Sequence, residues 1–278
     1  MTRKTIVITG ASDGIGAAAA RRLAPAGHRL LLVGRDRTKT ETVARDTRAE
    51  PFVADFARLD DVRALAERLR DAAGADGIHV LANNAGGIFG DRTPTVDGYE
   101  KTLQVNHLAP FLLTGLLMPE LRRGRAAIIN TSSVANRLFG HLSIDDLDNH
   151  RAYSANKAYG DAKLANILFT KSLHAKFHSE GITSVAFHPG TVRTNFAADT
   201  TSRMRFVYRG FLGKIFLIGT DKGGENLVWF IEGTPDATWL SGEYYDRKKR
   251  TDKVNPQATD PALAEALWER SAELVELG

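Results

Sequence analysis

The 278-residue chain contains no cysteine, so a disulfide framework, a cysteine-ligated metal and a thiol nucleophile are all excluded. That absence suits a reducing compartment, and the chain reads as cytoplasmic. It also lacks any segment near the ~20 uninterrupted apolar residues that a membrane span requires. The apolar run Ile6-Val7-Ile8 after Arg3 and Lys4 is too short for the core of a secretory leader, and no small-residue cleavage site follows it. The eight histidines show no H-E-x-x-H or comparable spacing, so no metal is expected. Excess charge of one sign is scarce as well, with a net charge of only +4. The one dense basic run, Arg247-Lys248-Lys249-Arg250, reads as a solvated face, and no nucleic-acid-binding module is recognisable. No Pro/Ser-rich linker, repeat or low-complexity tract divides the chain.

What is present is a regular alternation. Short apolar runs occupy residues 5–9, 30–33, 51–54, 78–82, 126–131 and 182–188, each bounded by Gly, Asn, Asp or Pro. Such nearly continuous runs suit strands buried on both faces of a parallel sheet. Helical patterns lie between them, as at 60–73, where Val62, Leu65, Ala66 and Leu69 form one stripe. Repeated β-α-β units predict a single doubly wound α/β domain over 1–278, with a mostly parallel central sheet flanked by helices. The least regular part is 189–220, where Met204 to Tyr208 and Phe211 to Ile218 mix bulky apolar and basic residues. It suits either an ordinary packed helix or a lid on the substrate side.

The first apolar run ends in Thr9-Gly10-Ala11-Ser12-Asp13-Gly14-Ile15-Gly16, and an Ala-rich helix follows. Glycines let a backbone approach a pyrophosphate, and a helix N-terminus favours the anion. The T-G-x-x-x-G-I-G spacing resembles the glycine motif of the short-chain dehydrogenase/reductase family, which implies a Rossmann-type fold with 1–150 mainly the cofactor-binding half. The second strand ends Val33-Gly34-Arg35-Asp36. An acidic residue here selects NAD through the ribose 2′-hydroxyl, whereas a cation accommodates the 2′-phosphate of NADP. Gly34 occupies the carboxylate's place and Arg35 follows it, which favours NADP(H) over NAD(H). A register shift of one residue would instead bring Asp36 to the ribose. By the same resemblance, Asp55 and Phe56 lie near the adenine, and Asn83-Asn84-Ala85-Gly86 matches the family's N-N-A-G motif beside the cofactor. Pro189, Gly190, Val192 and Thr194 match P-G-x-V-x-T, the segment that holds the nicotinamide carboxamide.

Tyrosine can donate a proton to a forming alkoxide when nearby positive charge stabilises its ionised form, and a lysine four positions on shares its helix face. Two such pairs occur, Tyr153-x-x-x-Lys157 and Tyr159-x-x-x-Lys163, and on one helix they would not share a face. The second opens YGDAKLANILFT, a stretch that resembles the retinol-dehydrogenase-like branch of the family, and it is taken as the catalytic and cofactor-contacting pair. Ala162 replaces the branch's usual serine before the lysine. The resemblance further assigns Ser133 to the substrate oxygen and Asn106 to a water-mediated proton relay. Ser132 better suits loop capping, and His107 a structural place. The implied activity is interconversion of a carbonyl and an alcohol on an apolar small molecule. A non-catalytic NADP-binding sensor is the alternative on the same fold, and a homo-oligomer is a possible assembly, through the helices that carry Asn106 and Tyr159.

Overall fold

A computed structural model of the chain describes residues 3–190 and 219–277. Each apolar run becomes a strand within two residues of the expected limits. These are β1 (Thr5–Thr9), β2 (Arg29–Gly34), β3 (Glu50–Val53), β4 (Val80–Asn83), β5 (Ala127–Thr131) and β6 (Thr183–His188). Two further strands, β7 (Glu243–Asp246) and β8 (Lys249–Arg250), were not anticipated. They are short, charged at their ends, and show no apolar run. The sheet order is β3-β2-β1-β4-β5-β6-β7-β8, parallel except for the β7–β8 pair. The expected single doubly wound domain is therefore present.

The strands are apolar throughout because both faces are covered. Val7, Leu31, Ile128 and Ala186 enter one core, while Ile6, Ile8, Leu30, Leu32, Ile129, Val185 and Phe187 enter the other. On the second face lie α1 (Gly14–Leu23) and α2 (Arg37–Thr47). On the first lies α3 (Leu59–Ala73), whose stripe Val62, Leu65, Ala66 and Leu69 is fully buried as expected. Asp60 and Asp61 sit in its first turn, where carboxylates complement the helix dipole.

Next come α4 (Lys101–Leu103), a π-helical turn (Gln104–Leu108) and α5 (Ala109–Leu116), followed by α6 (Met118–Arg123). The short α7 (Ala135–Leu138) leads to the long α8 (Ala155–Phe177). The last two described helices are α9 (Thr220–Glu232) and α10 (Pro261–Leu274). α9 presses on α1 so closely that a Cβ on Gly224 would lie 2.7 Å from that of Ala18, which explains why both helices carry small residues there.

α10 lies across α8 and α5, with Trp268 4.9 Å from the ring of Phe111 and 5.9 Å from that of Phe169. In the basic run, Lys248 pairs with Glu225, Arg250 with Glu243 and Arg247 with Asp246. Among the described residues, no helix is long and apolar enough to cross a membrane, and no cluster of His, Asp or Glu could hold a metal ion. Most of the expected lid, including Val192, Thr194 and 204–218, lies outside the described residues.

Candidate active site

The sheet order reverses between β2-β1 and β4-β5, and a cleft opens at that end, as it does at the switch point of such sheets. Gly10, Ser12, Gly34, Arg35, Asp55, Phe56, Ala85 and Gly86 line it, together with Val33, Ala54, Gly87, Phe89 and Val105. The last five were not anticipated. Gly87 could have been found beside Gly86, but Phe89 and Val105 carry no signal in the sequence beyond ordinary apolar character.

The glycine turn is shaped by contact with the turn after β4. Gly10 has φ +68°, and a Cβ there would lie 2.8 Å from the Cα of Ala85. Thr9 Oγ1 accepts the backbone N–H groups of Asn84 and Ala85, both at 3.0 Å, and Asn84 Nδ2 donates to the carbonyl of Thr9 at 2.9 Å. Asp13 caps α1 by accepting from Gly14 N, while Ile15 and Gly16 form its first turn, which contains no acidic residue. Apart from the Asp13 cap, the N-terminus of α1 carries no carboxylate in its first turn, and its remaining N–H groups suit an anion. Asn83 differs from its neighbours. It is buried, and its Nδ2 donates to Asn130 and Thr114 in the interior, so its side chain joins β4 to β5 and α5.

At the end of β2, a Cβ on Gly34 would run into Thr40 Oγ1 and lie 2.8 Å from the Cβ of Ser12. No carboxylate fits at this position without repacking. Arg35 is exposed at the cleft wall, and Asp36 is occupied elsewhere. Asp36 is the N-cap of α2, its Oδ1 accepting from Lys39 N at 2.9 Å, and it does not line the cleft. Gly34 and Arg35 thus line the cleft, and Asp36 does not. Asp55 Oδ1 accepts from Ala57 N, which fixes the turn bearing the buried Phe56.

The two Tyr-x-x-x-Lys pairs separate for a simple reason: Tyr153 is not helical. Ser154 is the N-cap of α8, accepting from Lys157 N, so Tyr153 precedes the helix. Its hydroxyl donates to the carbonyl of Gly90, and burial pushes its pKa up to about 12. Lys157 is held by Asp161, Asn149 and the carbonyl of His141. Tyr159 and Lys163 both lie within α8, with Lys163 Nζ 5.4 Å from the centre of the Tyr159 ring. Lys163 is only 2% exposed, and its Nζ donates to the carbonyl of Thr131. Burial pushes its pKa down to about 7.

Asn106 sits in the π-helical turn, an irregularity common at functional sites. Its Oδ1 accepts from Gly87 N, and its Nδ2 donates to the carbonyls of Gly87 and Thr102. A Cβ on Gly86 would strike Asn106 Oδ1 and lie 3.2 Å from Lys163 Nζ, so these three residues meet at one point. Ser132 Oγ donates to the carbonyl of Lys163, which anchors α8 to β5. Ser133 is only partly buried, and its Oγ accepts from Ala135 N at 3.2 Å. His107 is buried among Phe111 and Phe169 and bonds Ser271, with its pKa lowered to about 4. Pro189 follows β6, its carbonyl accepting from Asn226, and Gly190 comes next at φ +93°.

The sequence pattern of the short chain dehydrogenases matches residues 4–205. A Streptomyces sp. (strain C5) protein bearing the name daunorubicin C-13 ketoreductase is 44% identical, over 98% of this chain and 92% of its own. Human retinol dehydrogenase 13 is 35% identical over 99% of this chain and 85% of its own. A solved structure of an uncharacterised Mycobacterium paratuberculosis protein superposes with TM-score 0.78 at 30% identity, covering 99% of this chain and 94% of that one. Carbonyl reductase Sniffer of D. melanogaster shares the fold, with TM-score 0.64 at 22% identity over 89% and 98% of the two chains. The chain belongs to the short-chain dehydrogenase family of nicotinamide-dependent oxidoreductases, in its retinol-dehydrogenase-like branch.

Proposed function

We propose that the chain is an NADP(H)-dependent oxidoreductase that interconverts a carbonyl and an alcohol on an apolar small molecule. The observation that carries this reading is the fully buried Lys163 beside Tyr159, with Gly86 and Asn106 at its other side. A bound nicotinamide supplies or accepts the hydride, and the remaining work falls to side chains. In the reducing direction, Tyr159 gives its phenol proton to the substrate oxygen as charge develops there. Ser133 donates a hydrogen bond to the same oxygen. The Lys163 ammonium stabilises negative charge on the phenol oxygen and holds the cofactor ribose. Asn106 keeps the Gly87 backbone beside that lysine.

The cleft favours NADP(H). Gly34 leaves no room for a ribose-binding carboxylate, Asp36 is engaged at its helix cap, and Arg35 offers a guanidinium suited to the 2′-phosphate. An apolar ketone, aldehyde or alcohol is the substrate class suggested by the relatives named for daunorubicin and retinol. NADPH oxidation measured with a panel that includes all-trans-retinal and aryl ketones tests the reading. Turnover with NADPH at lower KM than with NADH is expected. Tight NADPH binding with no turnover on any carbonyl would favour the non-catalytic sensor, and tighter NADH binding would overturn the cofactor preference.

A further inference from the structure

The chain between β5 and α8 is held by a segment more than a hundred residues away. Asn255, 5% exposed, donates its backbone N–H to Asn136 Oδ1 at 3.0 Å, and its Nδ2 donates to the carbonyls of Asn136 and Gly140 at 2.8 and 2.7 Å. Asn136 has no exposed surface, and its own Nδ2 donates to the carbonyl of Ser133 at 2.6 Å. Two positions on, Gln257 brackets Leu142, accepting its N–H and donating to its carbonyl, both at 2.9 Å. The opposite side of the same loop rests on α8. Asp161 accepts the N–H of His141, and Lys157 donates to the carbonyl of His141. Gly140 and Gly160 touch, since a Cβ on Gly160 would lie 2.6 Å from Gly140 N.

These bonds, with the close approach of Gly140 and Gly160, form a connected path. It runs from Asn255 through Asn136 to the carbonyl of Ser133, and through Gly140 to Gly160, the neighbour of Tyr159. Both asparagines are buried, both use donors and acceptors, and neither lines the cleft. A buried, fully used amide fixes geometry more firmly than surface bonds do, because leaving either partner unpaired is costly.

We propose that Asn136 and Asn255 are positioning residues that set Ser133 against Tyr159, so the C-terminal segment governs the catalytic step without touching substrate. This rests on the role given to Ser133 above. A side chain displaced by even about 1 Å loses much of its contribution to a transition state.

The test is a double-mutant cycle on the full chain, with NADPH and either all-trans-retinal or 1-tetralone as the carbonyl. Asn136→Ala is expected to lower kcat about 10- to 100-fold while leaving the NADPH KM within twofold. In a Ser133→Ala background the same substitution should lower kcat no further. Full multiplicative loss in that background would show a general structural effect and overturn the proposal. If Ser133→Ala itself leaves kcat unchanged, the reading of Ser133 fails instead. Asn255→Asp guards against misfolding of the first variant. It is isosteric and keeps the acceptor for Gln257 N, but it removes the two donated bonds. It should reproduce the kcat loss, and amide exchange should quicken at 134–142 but not at 5–34. Unchanged exchange at 134–142 would overturn the proposal whether or not a carbonyl turns over.

Discussion

At the scale of single residues, the proposed chemistry rests on Tyr159 with Lys163 beside it. Tyr159→Phe is expected to lower kcat by at least about 100-fold, the usual worth of a general acid, while Tyr153→Phe keeps turnover and loses only the hydroxyl's bonds to Gly90 and Thr102. Steady-state rates of the two variants check this, and the reverse result would move the assignment to Tyr153. Lys163 carries a pH signature. Burial lowers its pKa from the usual 10.5 to about 7, so between those values the unfolded chain holds a proton that the native chain lacks. Stability from this group therefore rises with pH across that window, and below about pH 7 the burial penalty is fully present. Lys163→Met should be more stable than the parent at pH 6, on the order of several kcal/mol, with the gap shrinking towards pH 10. Urea midpoints at both pH values test it, and a gap that ignores pH would exclude burial of charge as its cause.

At the scale of elements, the proposed cofactor preference rests on packing at the β2–α2 junction as well as on charge. Gly34 is tight against Thr40 and Ser12 because α2 must start at once, and Asp36 starts it. Arg35→Ala is expected to weaken NADPH binding about 10- to 100-fold and leave NADH nearly unchanged, as befits loss of a charge-assisted bond to phosphate. Calorimetric titration with both cofactors reads this directly. Asp36→Ala removes a helix cap and should cost about 1 kcal/mol of stability without shifting the NADH affinity, which would rise or fall if Asp36 were the ribose ligand. The strands β1 to β6 were legible in the sequence because burial on both faces writes a continuous apolar run. β7 and β8 were not, because Tyr244 and Tyr245 owe their burial to neighbours that are distant in the chain.

At the scale of the whole molecule, the C-terminal region closes the structure twice. α10 lays Trp268 over Phe111, Phe169 and Phe177, and Lys176 Nζ stands 5.3 Å from its ring. Trp268→Ala should destabilise the chain by about 2–3 kcal/mol, less than for a wholly buried tryptophan because part of the ring stays exposed. Thermal or urea unfolding measures it. α10 also packs against α5 and α8.

The sequence alone determined the α/β class, the positions of β1 to β6 and the glycine turn, since these depend on local spacing and on periodic burial, whereas the choice of Tyr159 with Lys163 rests on the family resemblance of the stretch that Tyr159 opens. It left open which of Gly34, Arg35 and Asp36 lines the cleft, and it did not show that the Asn83 side chain turns inward. Those matters depend on the direction a side chain takes, which is fixed by packing between segments far apart in sequence. The same is true of Lys163. Spacing put it one turn from Tyr159, but only the closed fold, by burying its ammonium against a single carbonyl, gave that lysine its low pKa.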